Sequence, residues 1–245
     1  PPDPKMFRLH FNGDKPLRGT SKVNISRYAS APNEGTANQL LGLASGGPEA
    51  RTPRTYRYNY LKFYFNGAPH PGTAMGEIIP PGGDYFRVNF PTDSDGFLYK
   101  ITGKLSFNNK SGEMDSVDWT RYRYYGPSKE NFRYYYNPGS RQGEDNFDPL
   151  MKFLTVMDPS KTPLAKFESQ TEGLESVMNV EAFLRVFIIR ALQDDWDTIG
   201  LGNGQNAYVY YAPVEDRFYL LPWDMDHTFG NTVALLAPAE LTVAS

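Results

Sequence analysis

The sequence predicts an α+β protein. We expect a mainly antiparallel, β-rich N-terminal part, then a more helical C-terminal part that carries a β-hairpin. The chain has 245 residues, of which 40% are hydrophobic, so it can bury a sizeable core as one large domain or as two lobes. Its 22 Gly, 20 Pro, 17 Tyr and 16 Phe favour many turns and short strands over a helical bundle.

Short alternating or aromatic-rich segments predict strands in the first part of the chain. They lie at residues 7–11, 22–25, 58–65, 74–79 and 97–101. Asn66-Gly67 predicts a hairpin turn. The helical composition of residues 37–44 stops at Gly46-Gly47-Pro48. We therefore expect a mainly antiparallel sheet with one helix over about the first 105 residues.

Residues 108–147 form a Tyr-rich insert with few aliphatic side chains. The insert interleaves Arg with Tyr, a pattern that suits a face for binding glycan, peptide or nucleotide. The alternative is an elaborate loop whose tyrosines pack half-buried, and the sequence leaves both interpretations open. We expect residues 1–107 to form an N-terminal lobe and residues 148–245 a C-terminal lobe.

Two helices and a hairpin are predicted in the C-terminal part. Residues 148–157 space their apolar side chains on one helical face, with Pro149 in the first turn. Asn179 is a suitable N-cap for a core helix over 180–192. Residues 207–212 and 217–222 read as the two strands of a hairpin that leads directly into Trp223-Asp-Met-Asp226.

Charge and composition exclude several classes of function. The net charge of −3 provides no basic field for nucleic acid or anionic lipid. The absence of Cys excludes disulfides and thiol nucleophiles, and His10, His70 and His227 match no zinc spacing. No apolar run is long enough to span a membrane. Because the chain opens on Pro1-Pro-Asp-Pro4, we expect a piece of a longer protein that lacks any targeting segment.

Asp224 and Asp226 follow the apolar end of the hairpin at i and i+2, which places them on the same side of an extended chain. Two carboxylates in this arrangement can share a hard cation such as Mg²⁺. The structural alternative is that one Asp caps the following turn while the other pairs with an Arg. A polysaccharide hydrolase ranks last, because the pair is too close to serve as the separated acid and base of a glycosidase.

Asp197 and Asn206 precede this pair in an informative order. A helix ending in Asp, a loop carrying Asn, and a hairpin followed by Asp repeat the order of catalytic base, metal-binding amide and metal-binding Asp in protein kinases. The usual kinase signatures His-Arg-Asp, Asp-Phe-Gly and Gly-x-Gly-x-x-Gly are absent. Spacing therefore makes phosphoryl transfer one candidate among several.

Three motifs resemble the CotH family of spore-coat proteins and their exported relatives, which are atypical protein kinases. They are Asp195-Trp-Asp197, Asn206-Ala-Tyr-Val-Tyr-Tyr211 and Phe218-Tyr-Leu-Leu-Pro-Trp-Asp-Met-Asp-His-Thr-Phe-Gly230. The resemblance covers about residues 18–230. Weaker matches are Arg51-Thr-Pro-Arg-Thr55, Gly76-Glu77, Gly96-Phe-Leu-Tyr-Lys100 and Asn179-Val-Glu-Ala-Phe-Leu184.

This resemblance implies a two-lobed, kinase-like fold with ATP and Mg²⁺ or Mn²⁺ in the cleft. The reaction it implies is transfer of the γ-phosphate to Ser or Thr of an extracellular or coat protein, at the cell or spore surface. Position by position, Asp197 would be the catalytic carboxylate that accepts or orients the substrate hydroxyl. Asn206 would support metal or phosphate, and Asp224 would bind the metal with Asp226 beside it.

The ATP-binding residues that the resemblance implies are less sharply defined. Lys22 or Lys100 would contact phosphate, and the sequence does not choose between them. Glu77 would orient that lysine or lie near the hinge between the lobes. Phe218 or Trp223 would stack on adenine. The rival hypothesis is a non-catalytic extracellular module for adhesion or assembly, with the same fold, that binds protein or glycan through the Tyr-rich insert.

Overall fold

Two four-stranded antiparallel sheets, a two-stranded hairpin, six α-helices and two short 3-10 helices, Gln142–Glu144 and Leu174–Ser176, make up the secondary structure of the described residues. The structure is a computed structural model, and it describes residues 7–26, 31–44, 58–69, 75–101, 124–133, 135–198 and 206–230. The predicted α+β class is confirmed. Residues 46–48, 51–55 and 70, and the first part of the Tyr-rich insert at 108–123, lie outside the described residues.

The first sheet, called the N-terminal sheet below, has the strand order β1-β2-β6-β3. Its strands are β1 (Phe7–His10), β2 (Lys22–Ile25), β3 (Tyr58–Leu61) and β6 (Met75–Ile78). The predicted long strand over 58–65 is interrupted after Leu61. The predicted hairpin turn at Asn66-Gly67 joins two short strands, β4 (Tyr64–Phe65) and β5 (Ala68–Pro69). Both turn residues have positive φ, at 49° and 79°, as a tight hairpin requires.

Two helices accompany this sheet, where the sequence predicted one. They are α1 (Ala31–Ala44) and α2 (Gly83–Asn89). The prediction found only the second half of α1, because Asn33-Glu-Gly-Thr36 shows no apolar periodicity. It missed α2 because Gly82-Gly83-Asp84 has the composition of a turn. Burial of Tyr85 and Phe86 in the core supplies the stabilisation that this local sequence does not.

The second sheet, called the C-terminal sheet below, has the order β10-β9-β7-β8. Its strands are β7 (Phe97–Ile101), β8 (Tyr136–Pro138), β9 (Ala207–Ala212) and β10 (Arg217–Pro222). The predicted β9–β10 hairpin is confirmed. We expected β7 in the first sheet, but it pairs with β9 from Phe97↔Tyr211 to Ile101↔Ala207. Strand alternation identifies β7 but does not choose its partner, so this long-range pairing was not predictable.

Gly96 shows why β7 lies so close to β9. A Cβ atom at this position would collide with the Tyr211 carbonyl and with the Tyr210 ring. The Gly96 N–H donates to the Tyr210 hydroxyl at 2.9 Å, and that hydroxyl donates to the Asp93 carbonyl at 2.5 Å. The close approach fixes the register of β7 and brings Lys100 opposite Tyr208.

Helices cover one face of the C-terminal sheet. They are α3 (Lys129–Arg133), α4 (Asp148–Met157) and α6 (Val180–Leu192), while the short α5 (Leu164–Phe167) buries no side chain. The predictions for α4 and α6 are confirmed, and the side chain of Asn179 caps α6 by accepting the Ala182 N–H at 2.9 Å. Val209, Phe218 and Leu220 face this helical layer.

Residues that alternate with these along the strands point to the opposite face of the C-terminal sheet. Tyr210, Tyr219 and Leu221 pack there with residues of α1 and α2. Tyr58 and Ile78 of the N-terminal sheet join the same cluster. The C-terminal sheet is therefore the central layer of the described structure, and its hairpin ends where the N-terminal sheet approaches.

The described part of the Tyr-rich insert turns its aromatic rings inward. Phe132 and Tyr136 are fully buried, and Tyr124, Tyr125 and Tyr135 pack against the same core. The rings of Tyr125 and Tyr135 stack with their centroids 4.7 Å apart. In this part of the insert, the tyrosines serve packing as the second interpretation expected.

Candidate functional site

Three segments meet at the end of the β9–β10 hairpin. The pairing of Pro222 with Ala207 makes the residues just beyond them, Trp223 and Asn206, neighbours. The Trp223 N–H donates to the Asn206 carbonyl at 3.0 Å. The chain leaving α6 supplies the third segment, which carries Asp197.

Asn206 and Asp197 are in direct contact. The Asn206 side-chain amide donates to Asp197 Oδ2 at 2.7 Å and to the Asp197 carbonyl at 2.9 Å. Both residues are buried. The structure thus brings together two residues that the sequence singled out, and Asn206 fixes the orientation of the Asp197 carboxylate.

Asp224 is exposed to solvent, but protein atoms and negative charges surround it. Desolvation raises the pKa of Asp224 to about 6, and the carboxylates of Asp226 and Asp197 act in the same direction. The positive charge of Lys100 opposes this rise. Because solvent reaches Asp224, a ligand can also reach it, and a cation there would relieve the repulsion among the three acids.

Asp226 is half-buried and adjoins His227. Its Oδ1 atom is 3.8 Å from His227 Nε2. Burial raises the pKa of Tyr58 on β3, and the charge of Asp226 adds to that rise. Burial likewise raises the pKa of Tyr208 to about 12, which the charge of Arg8 on β1 counters. The acidic site therefore lies where the N-terminal sheet approaches the end of the C-terminal hairpin.

The backbone at the site is left-handed at three acidic or amide residues. Asp194, Asn206 and Asp224 have φ values of 53°, 57° and 55°. Asp and Asn tolerate this conformation better than other non-glycine residues. Non-glycine residues with such backbones cluster at functional sites, where the surrounding fold holds them.

The two candidate lysines lie in different places. Lys100 Nζ is 5.9 Å from the centre of the Tyr208 ring, and its charge acts on Asp224. Lys22 lines a cavity of about 380 Å³. Residues near both sheets form the walls of this cavity: Thr20, Ser21, Lys22, Ile79, Pro80, Pro81, Gly82, Gly83, Asp84, Arg87, Gly139 and Ser140. Lys100 is thus associated with the acidic site, and Lys22 with the cavity between the sheets.

The remaining candidates for ATP binding, Glu77, Trp223 and Phe218, differ in how far they are buried. Glu77 is buried on β6 and pairs with Arg18 at 3.3 Å. Trp223 is half-buried, with its ring edge-on to Tyr208 at 5.6 Å. Phe218 is only 2% exposed, and its ring packs on Phe153 inside the core. Phe218 is therefore removed from the candidate site, because a ring on the helical face of β10 cannot reach a ligand.

Sequence reasoning missed Arg190, the largest fully buried side chain near the site. Its Nε donates to Asp195 Oδ2 at 2.7 Å, and its two terminal nitrogens donate to the carbonyls of Asn206 at 2.8 Å and Trp223 at 3.4 Å. The sequence did contain a signal for this pair. Acidic residues at the C-terminal end of a helix are unfavourable, so Asp194 and Asp195 after α6 indicate a nearby counter-ion, either a metal or an Arg.

The donors at this site suit a cation that is shared with a ligand. Among the described residues, no group of three or more His, Asp or Glu side chains is already arranged to hold a metal ion. Mg²⁺ bound with a nucleotide needs only one or two carboxylates, because phosphate oxygens and waters complete its shell. Three buried polar atoms next to Asp197 also have no hydrogen-bond partner, namely Asp195 Oδ1, Trp196 Nε1 and Thr198 Oγ1. Asp224 and Asp226 fit a divalent cation of this shared kind.

Fold and site together define an α+β protein with an accessible acidic site at the end of a β-hairpin. A family profile described as CotH kinase protein matches residues 81–241, which include the whole C-terminal sheet and every acidic residue of the site. The chain belongs to this family of CotH kinase proteins. Among the described residues, no helix has the length and apolar character needed to cross a membrane.

A relative of this chain is Invasin CotH2 of Rhizopus delemar, which is 28% identical over 142 residues. The matched stretch is 57% of this chain and 20% of that relative. The chain therefore spans about a fifth of the length of this relative.

Proposed function

We propose that this protein transfers the γ-phosphoryl group of ATP to a Ser or Thr hydroxyl of a protein substrate, with Mg²⁺ or Mn²⁺. The observation that carries the proposal is the set of three acids at the hairpin end. Asp224 is accessible, and Asp226 and Asp197 help to raise its pKa. Membership of the CotH kinase protein family supports the same reaction.

Each residue of the site has a role in this proposal. Asp197, held by the Asn206 amide, accepts or orients the proton of the substrate hydroxyl. Asp224 binds the cation with Asp226 beside it. When bound, the cation neutralises charge on the transferring phosphate. Lys100 adds a second positive charge close to Asp224.

The cavity that Lys22 lines would take part of the nucleotide, and none of its lining residues belongs to the acidic site. Its volume of about 380 Å³ falls in the range of small-molecule pockets, about 300–1,000 Å³. Lys22 is the lysine on its wall, so it would contact the nucleotide from the N-terminal sheet. Trp223 remains the aromatic candidate for contact with the base.

Radiolabelled ATP and a Ser-rich protein acceptor would test this function directly. We expect incorporation by the wild-type protein in Mg²⁺ or Mn²⁺ and none above background with Asp224→Asn or Asp197→Asn. Incorporation that is the same in the wild type and in both variants would show that the site does not carry the reaction.

A second candidate is a non-catalytic surface module for adhesion or assembly. The observation that favours it is the name of the relative, Invasin CotH2. Calorimetry separates the two candidates, because the module predicts no heat with millimolar ATP and Mg²⁺. The family and this relative support a location at the cell or spore surface for either function.

A further inference from the structure

The acidic site is built on three chain segments, and backbone hydrogen bonds between strands join only two of them. Asp197 follows α6, Asn206 precedes β9, and Asp224 follows β10. Backbone pairing joins the second and third segments, through Pro222 and Ala207. Side-chain contacts must set the position of these two relative to the first, and the hydrogen bonds from the Asn206 amide to Asp197 are one such contact.

Arg190 makes the contact that reaches all three segments. Its guanidinium binds the Asp195 carboxylate at 2.7 Å, the Asn206 carbonyl at 2.8 Å and the Trp223 carbonyl at 3.4 Å. Each acceptor is at, or within two residues of, a proposed site residue on a different segment. A planar guanidinium can serve three acceptors in fixed directions, which the single ammonium group of Lys cannot do.

The positions of these acceptors also matter for the backbone. Asn206 and Asp224 both have left-handed φ values, near 57° and 55°. Non-glycine residues keep such conformations only where the surroundings hold them. The carbonyl that Arg190 binds on Trp223 belongs to the peptide unit joined to Asp224, so this bond acts directly on the orientation of that residue.

Arg190 also separates one acid of the cluster, Asp195, from the others by neutralising its charge. The side chains of Arg190 and Asp195 are 1% and 0% exposed, so their charges neutralise each other out of contact with water. The guanidinium therefore compensates Asp195 and leaves Asp197, Asp224 and Asp226 to act on a ligand. A metal bound between Asp224 and Asp226 would then need no contact with Asp195.

We propose that Arg190 is the positioning residue of the cation site, and that it sets the separation between Asp197 and Asp224 without touching the ligand. The inference rests on the proposed metal site, but not on the identity of the substrate. Its consequence is that Arg190→Lys weakens cation binding in a protein that is still folded. Lys at this position keeps the positive charge but cannot bind all three acceptors of Arg190.

The test is Mn²⁺ affinity, measured by electron paramagnetic resonance of free Mn²⁺ at a temperature well below unfolding. Val186→Ala is the matched control, since Val186 is fully buried one turn earlier on the same helix and packs in the apolar core beneath the C-terminal sheet. We expect both variants to lower the melting temperature. Only Arg190→Lys should weaken Mn²⁺ binding, by about 10-fold or more, as loss of a ligand-orienting contact does.

Two further variants keep the outcomes distinct. Asp195→Asn removes the partner charge with little change in shape, so it should also weaken Mn²⁺ binding, and it serves if Arg190→Lys does not fold. Asp224→Asn reports on the metal site itself. Mn²⁺ affinity unchanged in Asp224→Asn would overturn the metal site and the positioning role together. The other contradictory result is that Asp224→Asn loses Mn²⁺ affinity while Arg190→Lys, or Asp195→Asn in its place, keeps the affinity of the Val186→Ala control. That result would overturn the positioning role alone.

Discussion

Glu77 in the N-terminal sheet and Asp224 at the end of the C-terminal sheet are both carboxylates on or just after a strand, but their surroundings differ. The side chain of Glu77 is 6% exposed and pairs with Arg18. Asp84, just after the N-terminal sheet, accepts the Ser21 N–H and hydroxyl and pairs with Arg87. Asp224 instead has two acidic neighbours that help to raise its pKa to about 6.

The difference teaches which acids are structural and which are available to a ligand. Acids that the fold already satisfies gain little from a cation, whereas acids that repel one another gain a great deal. The following predictions test the contrast, beginning with the largest expected effect.

Asp224→Asn should nearly abolish phosphoryl transfer and Mn²⁺ binding. Removing a group that binds the charge-stabilising cation costs about 100-fold or more in rate. Steady-state kinetics with ATP and titration with Mn²⁺ measure the two effects. Asp145→Asn is the matched control, because this carboxylate accepts from Arg133 at 3.0 Å and lies outside the cavity, and it should keep both properties within about twofold of wild type. Equal losses in the two variants would contradict the contrast.

Lys100→Met should impair ATP use more than Lys22→Met. Lys100 acts on Asp224, where phosphate would meet the cation, whereas Lys22 lines the cavity farther along the N-terminal sheet. Losing a charged contact to phosphate raises KM for ATP by about 10-fold or more. We expect a smaller rise for Lys22→Met. KM and kcat for ATP measure both effects. A larger rise in KM for Lys22→Met than for Lys100→Met would indicate that the phosphates bind at the cavity wall instead.

Local signals in the sequence were sufficient for parts of the fold and of the site. The N-cap Asn179 and the apolar face after it identified α6, and the two short runs around 213–216 identified the β9–β10 hairpin. The order of Asp197, Asn206 and Asp224 singled out three residues that meet in the structure. These features depend on contacts between residues close in sequence, or on an order along the chain.

Features that depend on distant contacts were not predictable in the same way. The partner of β7, the helix α2 and the role of Arg190 arise from packing between segments far apart in sequence. Phe218 is the corresponding error within the site. A strand alternates its side chains between two faces, but the sequence does not say which face meets the ligand and which meets α4.

Glu77→Gln tests the structural half of the contrast. Loss of the carboxylate breaks the ion pair with Arg18, but the side chain of Arg18 is 63% exposed and can be hydrated instead. We expect the free energy of unfolding to fall by about 1 kcal/mol. For a protein of this size, that loss lowers the melting temperature by about 2–4 °C. Calorimetry measures the shift, and Mn²⁺ affinity should not change, since a drop there would place Glu77 in the cation site.

The smallest predicted effects are those of Asp84→Asn and Asp224→Asn on the stability of the fold. The two substitutions should change stability in opposite directions at neutral pH. Hydrogen bonds from Ser21 and the charge of Arg87 outweigh desolvation and lower the pKa of Asp84. This carboxylate therefore stabilises the fold above the unfolded-state pKa of about 4 and loses that contribution as the pH falls through its lower folded value. Asp84→Asn should destabilise the protein at pH 7 and have little effect near pH 3.

Asp224 has a folded-state pKa of about 6, above its unfolded value, so its ionisation costs stability as the pH rises from about 4 through 6. In protein kept metal-free with a chelator, Asp224→Asn should therefore raise the melting temperature at pH 7.5, and the gain should shrink toward pH 4. Solvent exposure limits the gain to about 1 kcal/mol or less. Thermal unfolding across this pH range measures it. If Asp224→Asn instead lowers the melting temperature at pH 7.5, the carboxylate is satisfied within the protein, and the contrast with Asp84 fails.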